Sequence, residues 1–384
     1  MFGIFPSRGS WPIGIDLGSD SIKVMQLRKS GGVLSVVDCA RERLPHNASC
    51  DPGELHSQRA RILEDLLRKG NFRGRRVVMA LSCGDLHLKM LRLPQMPESE
   101  IPQAVRWEAA EQFDFEPRRD QLCFINAGQV RVGEELRNEI IMMAAGDEAV
   151  NSRVRLADEL GLRLENIDAE PLALFRCFER LLKRREDAEA VTVLVDLGRV
   201  GTRVVVARGR DVVFVKNIDI GGRDLVGTVA EQLNLSETEA DELRLKIMRE
   251  QAEGGGKDSP LAGNDSVQWT VFDSVRSKVE ELAHEIMLCL RYCAVTFRGL
   301  RPKEVLLTGG EAYDPALASL LDEHLNCKST PGRPLRFVDL SRVSLGADRR
   351  GVLCEWGVCA GLALRNAGRQ SQSEEQDAKR RLSA

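Results

Sequence analysis

Ile13-Gly14-Ile15-Asp16-Leu17-Gly18-Ser19-Asp20-Ser21-Ile22-Lys23-Val24-Met25-Gln26-Leu27 reads as an apolar strand ending in an acid, a turn of glycine and small hydroxyl residues, and a second strand. The arrangement returns later in the chain. Val191 to Leu194 is apolar, Val195-Asp196-Leu197-Gly198 ends it, Gly201-Thr202 follow, and Arg203 to Arg208 resumes a β-branched run. Each copy continues into a third strand-like segment, Val33 to Ala40 and Val212 to Ile218. A repeated three-strand unit is an internal duplication, and it sets an α/β fold of two similar halves before any residue is interpreted.

A tight turn between two strands exposes consecutive backbone N–H groups, and small residues let a phosphate approach them closely. Two such turns facing each other across a cleft would grip a polyphosphate from both sides. The acid at each strand end, Asp16 and Asp196, would then hold Mg²⁺ through water, since magnesium sheds its hydration reluctantly. One Asp-Leu-Gly turn alone would pass for an ordinary hairpin. Two of them, in matching strand contexts, favour phosphate binding.

Composition narrows the class. The chain has 384 residues, enough for two to three domains and a sizeable core. Hydrophobic residues make up 43% and charged ones 29%, the balance of a globular protein. A net charge of −3 argues against a general nucleic-acid binder. The ten cysteines contain no Cys-x-x-Cys; Cys289 and Cys293 share a helical face and Cys354 and Cys359 sit in an apolar run, which points to buried reduced thiols. With five histidines and no His-x-x-x-His pair, no zinc site is implied. No apolar run is long enough to span a bilayer and the N-terminus lacks a signal-peptide pattern, so a soluble cytoplasmic protein is expected.

Between the two meanders, Leu55 to Leu67 has helical spacing closed by Gly70. From Arg75 to about Glu165 four strand-like runs alternate with helical ones at Ser99 to Gln112 and Asp147 to Leu160, the pattern of an inserted α+β subdomain. On its first helix, Trp107 and Phe113 read as core residues, with a peptide groove as the alternative. Glu170-Pro171 opens another helix, because proline suits a first turn. After the second meander, Gly221-Gly222 precedes a helix, Ser236-Glu237-Thr238-Glu239 fits a capping box, and Asp273 to Phe297 is a long amphipathic helix. Gly254 to Asn264 reads as a mobile loop. Val305 to Glu311 is an apolar strand running into a glycine turn, Gly357 to Leu364 a buried helix, and 366–384 a disordered tail.

These segments together resemble the actin, sugar-kinase and DnaK-type superfamily, whose duplicated fold is ribonuclease H-like. Asp16 to Lys23 resembles its first phosphate loop, with Gly18, Ser19, Asp20 and Ser21 in the turn and Lys23 for the β- and γ-phosphates. Gly198, Gly201 and Thr202 resemble the second phosphate loop, joined by Gly221 and Gly222. Leu307-Thr308-Gly309-Gly310-Glu311 resembles the adenosine motif, and Asp241 and Arg244 stand where ribose and adenine would be met. The resemblance gives Glu170 the role of positioning an attacking water. Within the superfamily, Leu91-Arg92-Leu93-Pro94-Gln95-Met96-Pro97, Ala104-Val105-Arg106-Trp107-Glu108-Ala109, Ile220-Gly221-Gly222-Arg223-Asp224-Leu225 and Gly361-Leu362-Ala363-Leu364-Arg365 are most similar to the PilM family of actin-like type IV pilus assembly proteins.

That resemblance implies bound ATP and Mg²⁺, halves at 1–190 (insertion about 75–165) and 191–365 (helical part about 221–297), and a scaffold at the cytoplasmic face of the inner membrane. A PilN-like membrane protein would recruit it through a short cytoplasmic peptide; self-association stays open. Four departures point to weak or absent hydrolysis. Arg199 and Val200 replace small residues in the second loop, Asp20 brings a charge that would repel phosphate unless Mg²⁺ intervenes, Asp241 and Arg244 stand where the family tends to have Glu and Lys, and Glu311 replaces a glycine. The alternatives are a small-molecule kinase, which would need a carboxylate base beside an acceptor hydroxyl, and a membrane-tethered FtsA-like filament. Residues 370–384 offer only Leu382 as a large apolar side chain, so no direct membrane anchor is expected.

Overall fold

The structure is a computed structural model that describes residues 11–45, 51–253, 266–297, 302, 304–325, 327–343 and 352–365. The glycine-rich segment 254–264 and the tail 366–384, expected to be mobile and disordered, lie outside the described residues.

The first meander forms β1 (Ile13–Leu17), β2 (Ser21–Ser30) and β3 (Val33–Arg43). Helix α1 (Pro52–Lys69) follows, capped where the Asp51 carboxylate accepts from the N–H groups of Gly53 and Glu54, and closed where the Gly70 N–H reaches the Leu66 carbonyl. Then come β4 (Arg76–Leu81), β5 (His87–Pro94), α2 (Ile101–Gln112), β6 (Leu122–Val132), β7 (Glu135–Ala144), α3 (Asp147–Glu159), β8 (Arg163–Ala169) and α4 (Glu170–Glu179). The second meander is β9 (Val191–Leu197), β10 (Thr202–Arg208) and β11 (Asp211–Ile218), followed by α5 (Gly222–Leu233), α6 (Glu237–Glu253) and α7 (Ser266–Thr296). The chain closes with β12 (Glu304–Thr308), α8 (Pro315–Leu325), β13 (Lys328–Pro331), β14 (Val338–Asp339) and α9 (Gly357–Ala363).

Two sheets carry the duplication. The first has the order β14-β3-β2-β1-β4-β8 and the second β11-β10-β9-β12-β13. In each, an antiparallel meander continues into a parallel strand, β4 beside β1 and β12 beside β9. Parallel strands are covered on both faces, and β1 shows how. Ile13, Ile15 and Leu17 turn to a cluster with Leu63 of α1 and Leu156 of α3. The alternate residue Gly14 turns to the other face, where a Cβ would stand 2.5 Å from the Cys359 carbonyl of α9. The glycine is there because helix backbone is.

The inserted subdomain is narrower than expected. β4, α3 and β8 belong to the first large sheet and its helical cover, because β4 pairs in parallel with β1 and β8 with β4. Only the sheet β5-β7-β6 and α2 stand apart. α2 packs Ile101, Val105 and Ala109 on Ile140 and Met142 of β7. The next residue along β7, Ile141, faces the opposite way and joins the main core cluster with Val213 and Phe214 of β11. The insertion therefore leaves the first half and leans on the second.

Two other expectations change. The segment 191–365 is not one half, since β14 pairs with β3 and α9 packs between α4 and β1. Phe113, the residue that caps α2, is core at 7% exposure, but Trp107 on that helix is 68% exposed and forms no part of the core. The described cysteines are all free; the buried Cys289, Cys293, Cys354 and Cys359 are held as neutral thiols, their burial pushing each upward in pKa. Among the described residues, no helix is long and apolar enough to cross a membrane.

Candidate functional site

The two meander turns face each other across a cavity of about 550 Å³ between the halves. Asp16, Gly18, Ser19, Asp20, Ser21 and Lys23 line it from the first turn, and Asp196, Gly198 and Gly201 from the second. Glu170 enters from α4, Asp241 and Arg244 from α6, and Gly309, Gly310 and Glu311 from the turn after β12. Thr202, Gly221 and Gly222 do not reach the wall. They brace the second turn from behind: the Thr202 hydroxyl donates to the Ile220 carbonyl, and the Gly222 and Arg223 N–H groups donate to the carbonyls of Gly198 and Arg199. Gly309 has φ +89°, and a Cβ there would meet the Leu197 carbonyl at 2.3 Å, so the turn after β12 can nest against β9 only with glycine.

The hairpin registers place a cation opposite each acid. Asp16 on β1 pairs with Lys23 on β2, and Asp196 on β9 pairs with Arg203 on β10. Lys23 Nζ lies 3.0 Å from Asp16 Oδ2. Burial pushes the Lys23 ammonium down, but Asp16 more than offsets this and its pKa ends raised. Arg203 is 6% exposed in its side chain and donates to two acids, Asp196 at 3.1 Å and Glu170. Asp196 also accepts the Thr308 hydroxyl at 3.0 Å on its other oxygen.

The remaining wall is likewise closed by pairs. Asp20, expected to repel phosphate, sits between Arg41 at 3.2 Å and Arg43 at 3.0 Å, two residues of one β3 face. Burial raises its pKa, yet the two guanidinium groups together outweigh burial and hold it below the usual carboxylate range. Arg199 reaches Asp241 at 2.5 Å, linking the second turn to α6. Arg244 bridges Glu311 at 3.0 Å and Asp314 at 3.2 Å. Glu311, the departure from glycine, thus meets Arg244, another residue expected at the adenosine end. Tyr313 donates to Glu355, and Arg41 lies 3.8 Å from the same carboxylate.

Sequence reasoning missed Arg41, Arg43, Arg203, Tyr313 and Glu355. Only Arg203 had a legible signal. The spacing that picks Lys23 from Asp16, counted again from Asp196, lands on Arg203.

Glu170 is the group most altered by its surroundings. Burial raises it, Arg203 opposes, and the charges of Asp16 and Asp196 raise it further, so that its pKa is pushed up to about 7. A carboxyl raised in this way keeps a proton in the folded chain that the unfolded chain releases near 4.5. Its stabilising contribution is complete below that value and is lost as pH rises through about 7. Glu170→Gln stays neutral throughout. Thermal melts between about pH 5 and 8 should therefore show wild type losing stability relative to the variant as pH rises. Parallel curves would mean that Glu170 is ionised over the whole range.

The glycine-lined cavity, walled by paired acids and cations, fits a nucleotide in size and offers lysine and arginine donors. Magnesium fits less well, because both acids expected to hold it already accept from fixed cations.

Two meanders with facing glycine turns, a third glycine turn after β12 and a cleft between them define the actin-like ATPase fold. The chain belongs to the family of type IV pilus assembly proteins PilM, whose model matches residues 14–260. It is similar over 92% of its length, and 98% of the other chain, to the protein of a solved PilM-PilN type IV pilus biogenesis complex, with 25% identity and a TM-score of 0.73. The ethanolamine utilization protein EutJ from Carboxydothermus hydrogenoformans shares the fold at 13% identity, with a TM-score of 0.53 over 95% of this chain and 92% of that one.

Proposed function

We propose that this chain is an ATP-binding scaffold of the inner-membrane platform that assembles type IV pili, held at the cytoplasmic face by a short N-terminal peptide of a PilN-like membrane protein, and slow or inactive as an ATPase. The observation that carries the reading is one cavity into which two duplicated turns bring a lysine and an arginine, each set opposite its strand-end acid. Similarity to the PilM-PilN complex supports the choice of partner. Magnesium is left out of the proposal, since its two acids are engaged.

Slow turnover follows from Glu170. A carboxylate orients an attacking water when it is charged and free to turn, and this carboxyl is held by Arg203 through Oε2 and kept partly protonated by its burial. The purified chain should hydrolyse ATP more slowly than about 1 s⁻¹, the low end of ordinary enzymes. Faster release of phosphate would show that Arg203 leaves Glu170 during the cycle.

The inserted sheet is suited to couple nucleotide to peptide because it touches both halves. Met143 of β7 shares a cluster with Leu81 of β4 and Ala169 of β8, and Tyr292 of α7 donates to Glu139 of β7 at 2.5 Å. A peptide docked between this sheet and the first half would sense cleft closure only through such links. ATP should then change the affinity for the partner's cytoplasmic peptide, and the peptide should change ATP affinity by the same factor. Tyr292→Phe removes the bridging hydroxyl and should bring that factor toward one while both ligands still bind. Calorimetry with ATP and the peptide, singly and together, checks this. Absence of peptide binding would sink the scaffold reading, and equal affinities with and without ATP would sink the coupling.

A further inference from the structure

We propose that Arg203 is the resident counter-cation of the phosphate site, taking the place of a divalent metal, so that the chain binds nucleotide without magnesium. The inference rests on the nucleotide reading above and deepens it.

Four observations meet here. Arg203 stands opposite Asp196 across β9 and β10 as Lys23 stands opposite Asp16 across β1 and β2, so the duplication supplies a fixed cation on both sides of the cavity. Its guanidinium lies between Asp196 and Glu170, acids from different elements, and bonds both. Asp196 has neither oxygen unengaged, since Thr308 donates to the second. Asp16 accepts from Lys23. The acids that would orient a hydrated metal are therefore neutralised by side chains.

The chemistry favours permanence. A guanidinium cannot lose its proton under any ordinary condition, so it cannot yield its place by neutralising as a lysine can. Moving it away would strip the part-buried Asp196 carboxylate and the buried Glu170 carboxyl of their shared partner, which is unfavourable. Arg203 carries five N–H donors, gives one to each acid and one to the Cys83 sulfur, and buries Nε, which leaves its remaining Nη hydrogens for phosphate oxygens in the cavity it lines. Planar, multidentate donation is what phosphate recognition draws on. A purely structural triad tying β9 and β10 to α4 would give the same bonds, so the test must read metal as well as stability.

ATP affinity is measured by calorimetry on the full chain in magnesium and in EDTA. Wild type is expected to differ by less than about threefold between the two, and Arg203→Ser to bind at least about tenfold more tightly with magnesium than without. Arg203→Lys keeps the charge and should stay magnesium-independent, which covers the case in which the serine variant does not fold. A second arm uses Mn²⁺ alone, followed by electron paramagnetic resonance without nucleotide. Arg203→Ser should take up the ion at micromolar concentration and wild type should not. Tenfold loss of wild-type affinity in EDTA, or Mn²⁺ uptake by wild type equal to that of the variant, overturns the proposal. If ATP binds neither form, the nucleotide reading has failed, and the Mn²⁺ arm still decides whether Arg203 holds the place of a metal.

Discussion

Lys23→Ala should weaken ATP binding by about tenfold or more, because a charge-assisted hydrogen bond to a phosphate oxygen is worth about 1.5–3 kcal/mol. Lys23 is set for this role by register rather than by its own flexibility. β1 and β2 pair Asp16 directly with Lys23, and the salt bridge at 3.0 Å holds the ammonium at the cavity wall. Truncation has a second consequence, since it leaves the carboxylate of Asp16 buried at 5% exposure without that partner. The chain would lose stability as well as affinity. The double variant Asp16→Asn with Lys23→Ala separates the two effects: it should recover stability and still bind ATP weakly. Calorimetry gives the affinity and thermal melts the stability. A Lys23→Ala protein that binds ATP within about threefold of wild type would show that the first turn does not face the phosphates.

The other large effect is expected at Gly361→Val, on a residue that does not line the cavity. A Cβ on Gly361 would lie 1.7 Å from the Ala173 carbonyl oxygen and 2.4 Å from its carbon, so the obstacle is the backbone of α4 and no side chain can rotate out of the way. Overpacking of this kind costs about 1–3 kcal/mol, and more where only backbone can give. The damage should reach the site. α4 begins at Glu170, which bonds Arg203, and Arg176 of the same helix donates to the Gly361 carbonyl at 3.0 Å. Pushing α4 outward moves Glu170 off Arg203, so ATP affinity should fall together with the melting temperature. Gly227, inside α5, has nothing within 4 Å of an added Cβ. Gly227→Ala should be neutral or stabilising by up to about 1 kcal/mol, since alanine loses less entropy in a helix. Equal melting temperatures for the two variants would mean that α9 can slide away from α4.

Much of this was written in the chain itself. The repeat at Ile13 to Leu27 and Val191 to Arg208 determined the two meanders, because strand alternation and glycine turns are local properties of a sequence. Gly70, the Ser236 to Glu239 capping box and the small-residue run from Gly357 to Ala363 likewise marked helix ends and a buried helix, each through bonds or contacts reaching only a few residues. The facing turns were legible for the same reason: one motif read twice implies two walls.

What the tertiary structure alone decided concerns partners contributed by separate elements. Trp107 lies on α2 and Phe113 caps its C-terminus, yet only the placement of α2 over β7 buries the second and leaves the first 68% exposed. The insertion's limits depended on which strands pair with β1, a choice between β4 and its neighbours that apolar patterning does not encode. The same holds for charge. Asp20 reads as a repulsive intrusion until β3 sets Arg41 and Arg43 beside it, and Arg203 reads as the edge of a strand until α4 brings Glu170 to meet it. A sequence records which residues carry charge; the balance of that charge in a cavity depends on distances across the fold, and Coulomb energy in a buried site changes steeply over a few ångströms.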